Sequence, residues 1–220
     1  MLPVCAHCYI IGTVDIGELI PIILAILTAV ALPIALSLRK KGGRKKAEEL
    51  HQHLLGIGLK VSPIEKESEE EIGLPKHSWG DKSEGAISVE GRKIDYIRII
   101  GVSSQYGTNY YIEYLLKTPG IAGREDMKKT SMVKKKSPPL WGKAVDIEWK
   151  GNPSLSQRLN FDYQLKYRLL NAYPKPLKGG ISIHPEPRYG YTRIRTSYQL
   201  PSPDLFEAMD TIAKHVKVGV

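Results

Sequence analysis

Residues 19–38, LIPIILAILTAVALPIALSL, run for twenty positions without a charge, an amide or a histidine. A helix of that length rises roughly 30 Å, about the hydrocarbon thickness of a bilayer. Only Thr28 and Ser37 interrupt the apolar surface, so no polar face recurs at the helical period. The expectation is a single N-terminal transmembrane helix over 19–38, with Pro21 in its first turn and a kink at Pro33. With no acid, base or amide inside it, an ion path through one chain is excluded. Ala25, Ala29, Ala31 and Ala35 suit helix packing, but no G-x-x-x-G accompanies them, so a homo-oligomer stays open and unsupported.

The flanks set an orientation. Arg39, Lys40, Lys41, Arg44, Lys45 and Lys46 follow the run, and only Asp15 and Glu18 precede it. Basic residues are retained on the cytoplasmic side, which places the tail 1–18 outside and the remainder in the cytoplasm of a cell-membrane protein. A cleaved signal peptide would show the reverse charge order. The net charge of +9 falls to +5 once residues 1–46 are set aside, an ordinary surface rather than a nucleic-acid signature.

The outer tail carries Cys5 and Cys8 around His7. Zinc wants four ligands and the tail offers three at most, so a metal site would need a second chain. Tyr9 stands where haem attachment wants histidine. A disulfide, lipidated thiols or an incidental pair are the other readings. No cofactor is expected anywhere in the chain.

Residues 39–61 read as a basic juxtamembrane segment leading into a short amphipathic helix over 47–59. Leu50, Leu54 and Ile57 would face the inner membrane surface, held by anionic lipid. Residues 62–85 are rich in acids, Ser, Gly and Pro, and read as a flexible acidic linker. Residues 86–220 read as an α+β domain of two layers, about five antiparallel strands backed by a C-terminal amphipathic helix. The strongest strand signal is 159–169, where apolar and polar residues alternate for eleven positions. Strands over 145–149, 192–200, 93–100 and 109–117 show the same period, with 86–89 and 180–184 as short edges. Ser202, Pro203, Asp204 and Glu207 mark a helix start, and Leu205, Met209, Ile212 and Val216 give it an apolar stripe.

Candidate chemistry is sparse. The basic stretch 124–141 holds Lys134, Lys135 and Lys136 and reads as a solvated loop, with docking on anionic lipid the next reading. A carboxylate pair on the polar sheet face would do acid–base work only if sheltered. Asp146, Glu148, Asp162 and His184 are the weak catalytic candidates, and cross-strand pairing of exposed charges is the plainer account of them. No nucleophile, phosphate-loop or zinc-protease motif is present. The leading expectation is a single-pass membrane-anchored protein whose cytoplasmic domain is a non-catalytic interaction or ligand-sensing module. Membrane lipid, and conceivably a protein, are its partners, and nucleic acid is disfavoured. The alternative is a membrane-tethered enzyme with an acid/base site on the polar sheet face.

Overall fold

The structure, a computed structural model, describes residues 43–75, 81–123, 128–138, 142–172 and 177–219, together with Pro21, Leu24 and Ala29. Met1–Gly42 and Gly43–Val220 are separate units. Of the first, only Pro21, Leu24 and Ala29 are described, and each is helical. The rest of the expected transmembrane segment lies outside the described residues. So do Cys5, His7 and Cys8 of the tail, and Arg39, Lys40 and Lys41. Among the described residues no helix is long and apolar enough to cross a membrane. The fold class is therefore corrected to an α+β unit, Gly43–Val220, without a transmembrane helix.

That unit is built on one antiparallel sheet. Among the described residues it has eight strands rather than five, in the order β1-β2-β3-β4-β8-β7-β5-β6. Helix α1, residues 43–56, precedes β1 (Val61–Ile64), α2 (Lys66–Glu71) and β2 (Asp81–Val89). Next come β3 (Tyr96–Ser104), β4 (Gly107–Lys117), β5 (Thr130–Ser137) and β6 (Lys143–Lys150). Helices α3 (Pro153–Phe161) and α4 (Tyr163–Asn171) follow, then β7 (Ile181–Glu186), β8 (Tyr191–Ser197) and α5 (Pro203–Val218).

The extra strands have readable causes. The lysine-rich stretch expected as a loop is β5, because only Thr130 and Met132 of it need burial. The stretch expected as a tether carries β1, α2 and the start of β2. Strand β7 runs through Pro185, which the sequence reading used as a stop. It can do so because β5 pairs only with Ser182 and Ile183, leaving Pro185 without a ladder partner on that side.

The 159–169 strand is the clearest correction: it is two helices. Asn152 accepts from the Leu155 N–H and caps α3, with Pro153 in its first turn. Asp162 interrupts the helix and caps α4 through the Leu165 N–H at 2.8 Å. The residues that go inside are Leu159, Leu165 and Leu169, while Phe161, Tyr163 and Tyr167 face water. Leu165 and Leu169 sit four apart, the spacing of one helix face. Alternation was a coincidence of two helical patterns meeting at a phase break.

One face of the sheet takes all the long helices. Leu50 and Leu54 of α1, Leu159 of α3, Leu165 and Leu169 of α4, and Leu205, Met209 and Ile212 of α5 join a core with Ile97, Ile112, Ile147, Trp149 and Ile194. Helix α1 therefore spends its apolar stripe on the sheet, not on a bilayer. The C-terminal helix is as expected, with the Ser202 hydroxyl accepting from the Leu205 N–H. The opposite sheet face meets the segment around α2, where Leu74, Ala86, Leu115 and Tyr191 form a smaller apolar cluster.

Candidate functional site

The polar face of the sheet is organised by the β3–β4 hairpin. A two-residue turn, Gln105–Tyr106, fixes the register, so Arg98 lies opposite Glu113 and Glu113 in turn opposite Arg195 of β8. All three point away from the helices by the strand period. Glu113 is fully buried and accepts from Arg98 at 2.7 Å, from Arg193 at 3.0 Å and from Arg195 at 2.8 Å. Arg98, itself buried, also donates to the Pro75 carbonyl at 2.9 Å. Arg193 reaches Glu186 at 2.6 Å and Arg195 reaches Asp81 at 3.0 Å. Burial alone would raise the Glu113 pKa, but the three guanidiniums outweigh it and hold the carboxyl below its ordinary value. Three arginines and three carboxylates thus form a closed, ionised cluster.

The sequence candidates are not brought together into one site. Asp146 and Glu148 stand partly exposed on β6, an edge strand, within 3.5–3.7 Å of the Lys135 amine. Lys166 also approaches Asp146 at 3.7 Å. Asp162 caps α4 with one oxygen and meets His215 Nε2 at 2.8 Å with the other. His184 lies across from Arg193 on β7, with its Nε2 3.0 Å from the Ser182 hydroxyl. Among the expected lipid contacts, Lys134 is half-buried and donates to the Leu177 carbonyl, Lys135 is ion-paired, and Lys136 is exposed. Lys46 sits over the Tyr198 ring at 4.2 Å, whereas Arg44 and Lys45 are exposed on α1. Among the described residues no group of His, Cys, Asp and Glu is placed to hold a metal ion.

His184 carries a testable pH signature. Burial, then Arg193, Lys129 and Arg195, lower its pKa from 6.5 to about 4, against the opposing pull of Glu113. The unfolded chain binds this proton near the ordinary value, the folded one only near 4. Stability from this ring is therefore present above 6.5 and is lost as pH falls from 6.5 through 4. His184→Gln should flatten the fall of unfolding free energy across that window in denaturant titrations. A slope equal to wild type would contradict a ring held neutral.

A second surface was not visible to sequence reasoning because its residues were assigned to a strand. Phe161, Tyr163 and Tyr167 are 66%, 73% and 69% exposed, all within seven residues of α3 and α4. Two shallow clefts of about 640 and 630 Å³ share Tyr163 and Gln164 as walls. Tyr167, Arg168 and Asp204 complete the first, and Phe161 and His215 lie in the second. Comparison of the chain with protein families, with curated proteins and with solved structures gives no match.

Proposed function

We propose that Gly43–Val220 is a non-catalytic recognition module whose contact surface is the aromatic face of α3 and α4. The single observation that carries this is the exposure of Phe161, Tyr163 and Tyr167 side by side. A soluble fold buries such side chains unless another surface covers them, and Tyr and Phe with a flanking Arg are the residues that anchor protein interfaces. Arg168 shares the first cleft with Tyr163 and Tyr167. The Asp162 carboxylate beside the second cleft is already taken by His215 and the Leu165 N–H. The occupant that fits is a protein segment presenting apolar side chains with an acidic group for Arg168. The ionisable groups of the sheet face support the same reading. Glu113 is held ionised among arginines, and Asp146 and Glu148 stay in the open beside lysines.

The test begins in cells, with a photo-crosslinking residue placed at Tyr163 or, as a control, at Tyr106 on the hairpin tip. The protein captured through position 163 is identified and purified, and its affinity for the full chain is measured directly. Tyr163→Ala combined with Tyr167→Ala should weaken binding by at least about tenfold, roughly 1.4 kcal/mol. Tyr106→Ala, at a side chain 92% exposed and remote in sequence, should leave it unchanged. Equal crosslinking from both positions, or wild-type affinity in the double variant, would reject the proposal.

A further inference from the structure

A separate cavity opens at the other end of α3. It measures about 180 Å³ and lies among the start of β5, the β7 and β8 strands, the first turn of α3 and the last turn of α5. Its polar walls come from Lys128, Thr130, Asn152, Ser154, Arg158 and Thr192, and no Asp or Glu lines it. Thr130 and Thr192 are buried. Arg158 is set in place by two bonds, donating to the Ser154 hydroxyl at 2.7 Å and to the His215 carbonyl at 3.1 Å. Gly219 makes room for it, since a Cβ there would fall 2.1 Å from the Arg158 Nη2.

Two features of Arg158 point to a missing acceptor. Among the described residues neither it nor Lys128 has a carboxylate within ion-pair distance. Its Nε is buried and without a hydrogen-bond partner. A buried donor left unpaired is costly, and more so when it belongs to a cation. The space far exceeds the roughly 30 Å³ share of one water. Hydroxyls can turn to donate, the guanidinium and ammonium only donate, and the positive end of α3 adds to the same sign.

We propose that this cavity is a binding site for a small tetrahedral oxyanion of the phosphate class. Arg158 is its fixed anchor, Lys128 its mobile second cation at the mouth, and the buried threonines its hydroxyl partners. The site shares no aromatic anchor with the recognition surface and stands or falls independently of it.

Calorimetric titration of the full chain with inorganic phosphate tests this, with sulfate and acetate as parallel arms. Wild type should bind phosphate saturably at one site, sulfate should compete, and acetate should bind at least about tenfold more weakly. Arg158→Gln should weaken phosphate binding by about tenfold or more. Because Arg158 also braces the end of α5, two exposed positions keep the test open. Lys128→Gln should weaken binding several-fold, and Ser154→Asp should abolish it by placing a carboxylate beside the Arg158 guanidinium. Lys45→Gln, on α1, should bind as wild type does. Absence of saturable phosphate binding by wild type, or wild-type affinity in both Lys128→Gln and Ser154→Asp, would overturn the site. Acetate binding as tight as phosphate would overturn the tetrahedral assignment.

Discussion

Glu113→Gln should lower the unfolding free energy by about 3–5 kcal/mol, the usual cost of removing one member of a buried ion cluster. The amide keeps the shape and leaves Arg98, Arg193 and Arg195 facing one another without a counter-charge. Arg98 suffers most, because its side chain is 1% exposed and no water reaches it. Chemical denaturation of the full chain reads the loss as a shift in midpoint at constant slope. The companion variant separates charge from shape. Glu113→Leu with Arg98→Met replaces the buried pair by apolar groups, and should recover part of the loss because desolvation of both ions is avoided. The pH dependence has a fixed sign. The folded-state pKa of Glu113 lies below its ordinary value of 4.5. Its contribution is complete above that value and disappears as pH falls through the folded pKa. A Glu113→Gln loss under about 1 kcal/mol, the range of exposed pairs, would mean that the cluster is hydrated and not sealed.

That cluster shows how far the sequence could be read. Strands β3 and β4 were recognisable from their period, and the turn between them fixes which residues face each other. Counting back equally from Gln105–Tyr106 sets Arg98 against Glu113, a lone cation against a lone anion inside two otherwise apolar strands. Alternation alone assigned the charges of β8 to a wet face. Burial depends on what covers a face, and the cover is the 72–75 segment, whose acidic, proline-containing neighbourhood has no periodic signal of its own. Helix α5 was legible because its cap, proline and stripe agree. Helices α3 and α4 were not, because Leu159, Phe161, Tyr163, Leu165, Tyr167 and Leu169 satisfy the strand period while Asn152-Pro153 and Asp162 satisfy the rules for helix starts. Capping is a backbone constraint, whereas alternation only describes preference for an environment, and here the caps prevailed. Misreading that stretch hid the exposed aromatics, and with them the recognition surface.

The placement of α1 gives the other large effect, and adjacent residues supply the control. Leu54 is fully buried in the main core, whereas Leu55, next to it, is 43% exposed. Leu54→Ala should cost about 2–5 kcal/mol, the transfer term plus the cavity left under the helix. Leu55→Ala should stay within roughly 0.5 kcal/mol of wild type, as surface substitutions do. The contrast discriminates between the two settings for the same amphipathic pattern. A helix held on a lipid surface, as Leu50, Leu54 and Ile57 suggest by spacing alone, would lose membrane affinity on truncation but little unfolding free energy. A helix docked on β1–β4 loses the reverse. Two polar contacts fix it in the second setting: His53 Nε2 bonds the Pro201 carbonyl at 2.8 Å, and the Tyr198 hydroxyl donates to the Lys46 carbonyl at 3.2 Å. Both tie α1 to the segment that leads into α5, so loosening Leu54 should also expose the N-terminal end of α5. Amide exchange of residues 205–209 in Leu54→Ala should therefore quicken relative to residues 112–116 of β4. Equal protection in both segments would mean that α1 can be lost without its neighbours, and that the helices do not share one cooperative core.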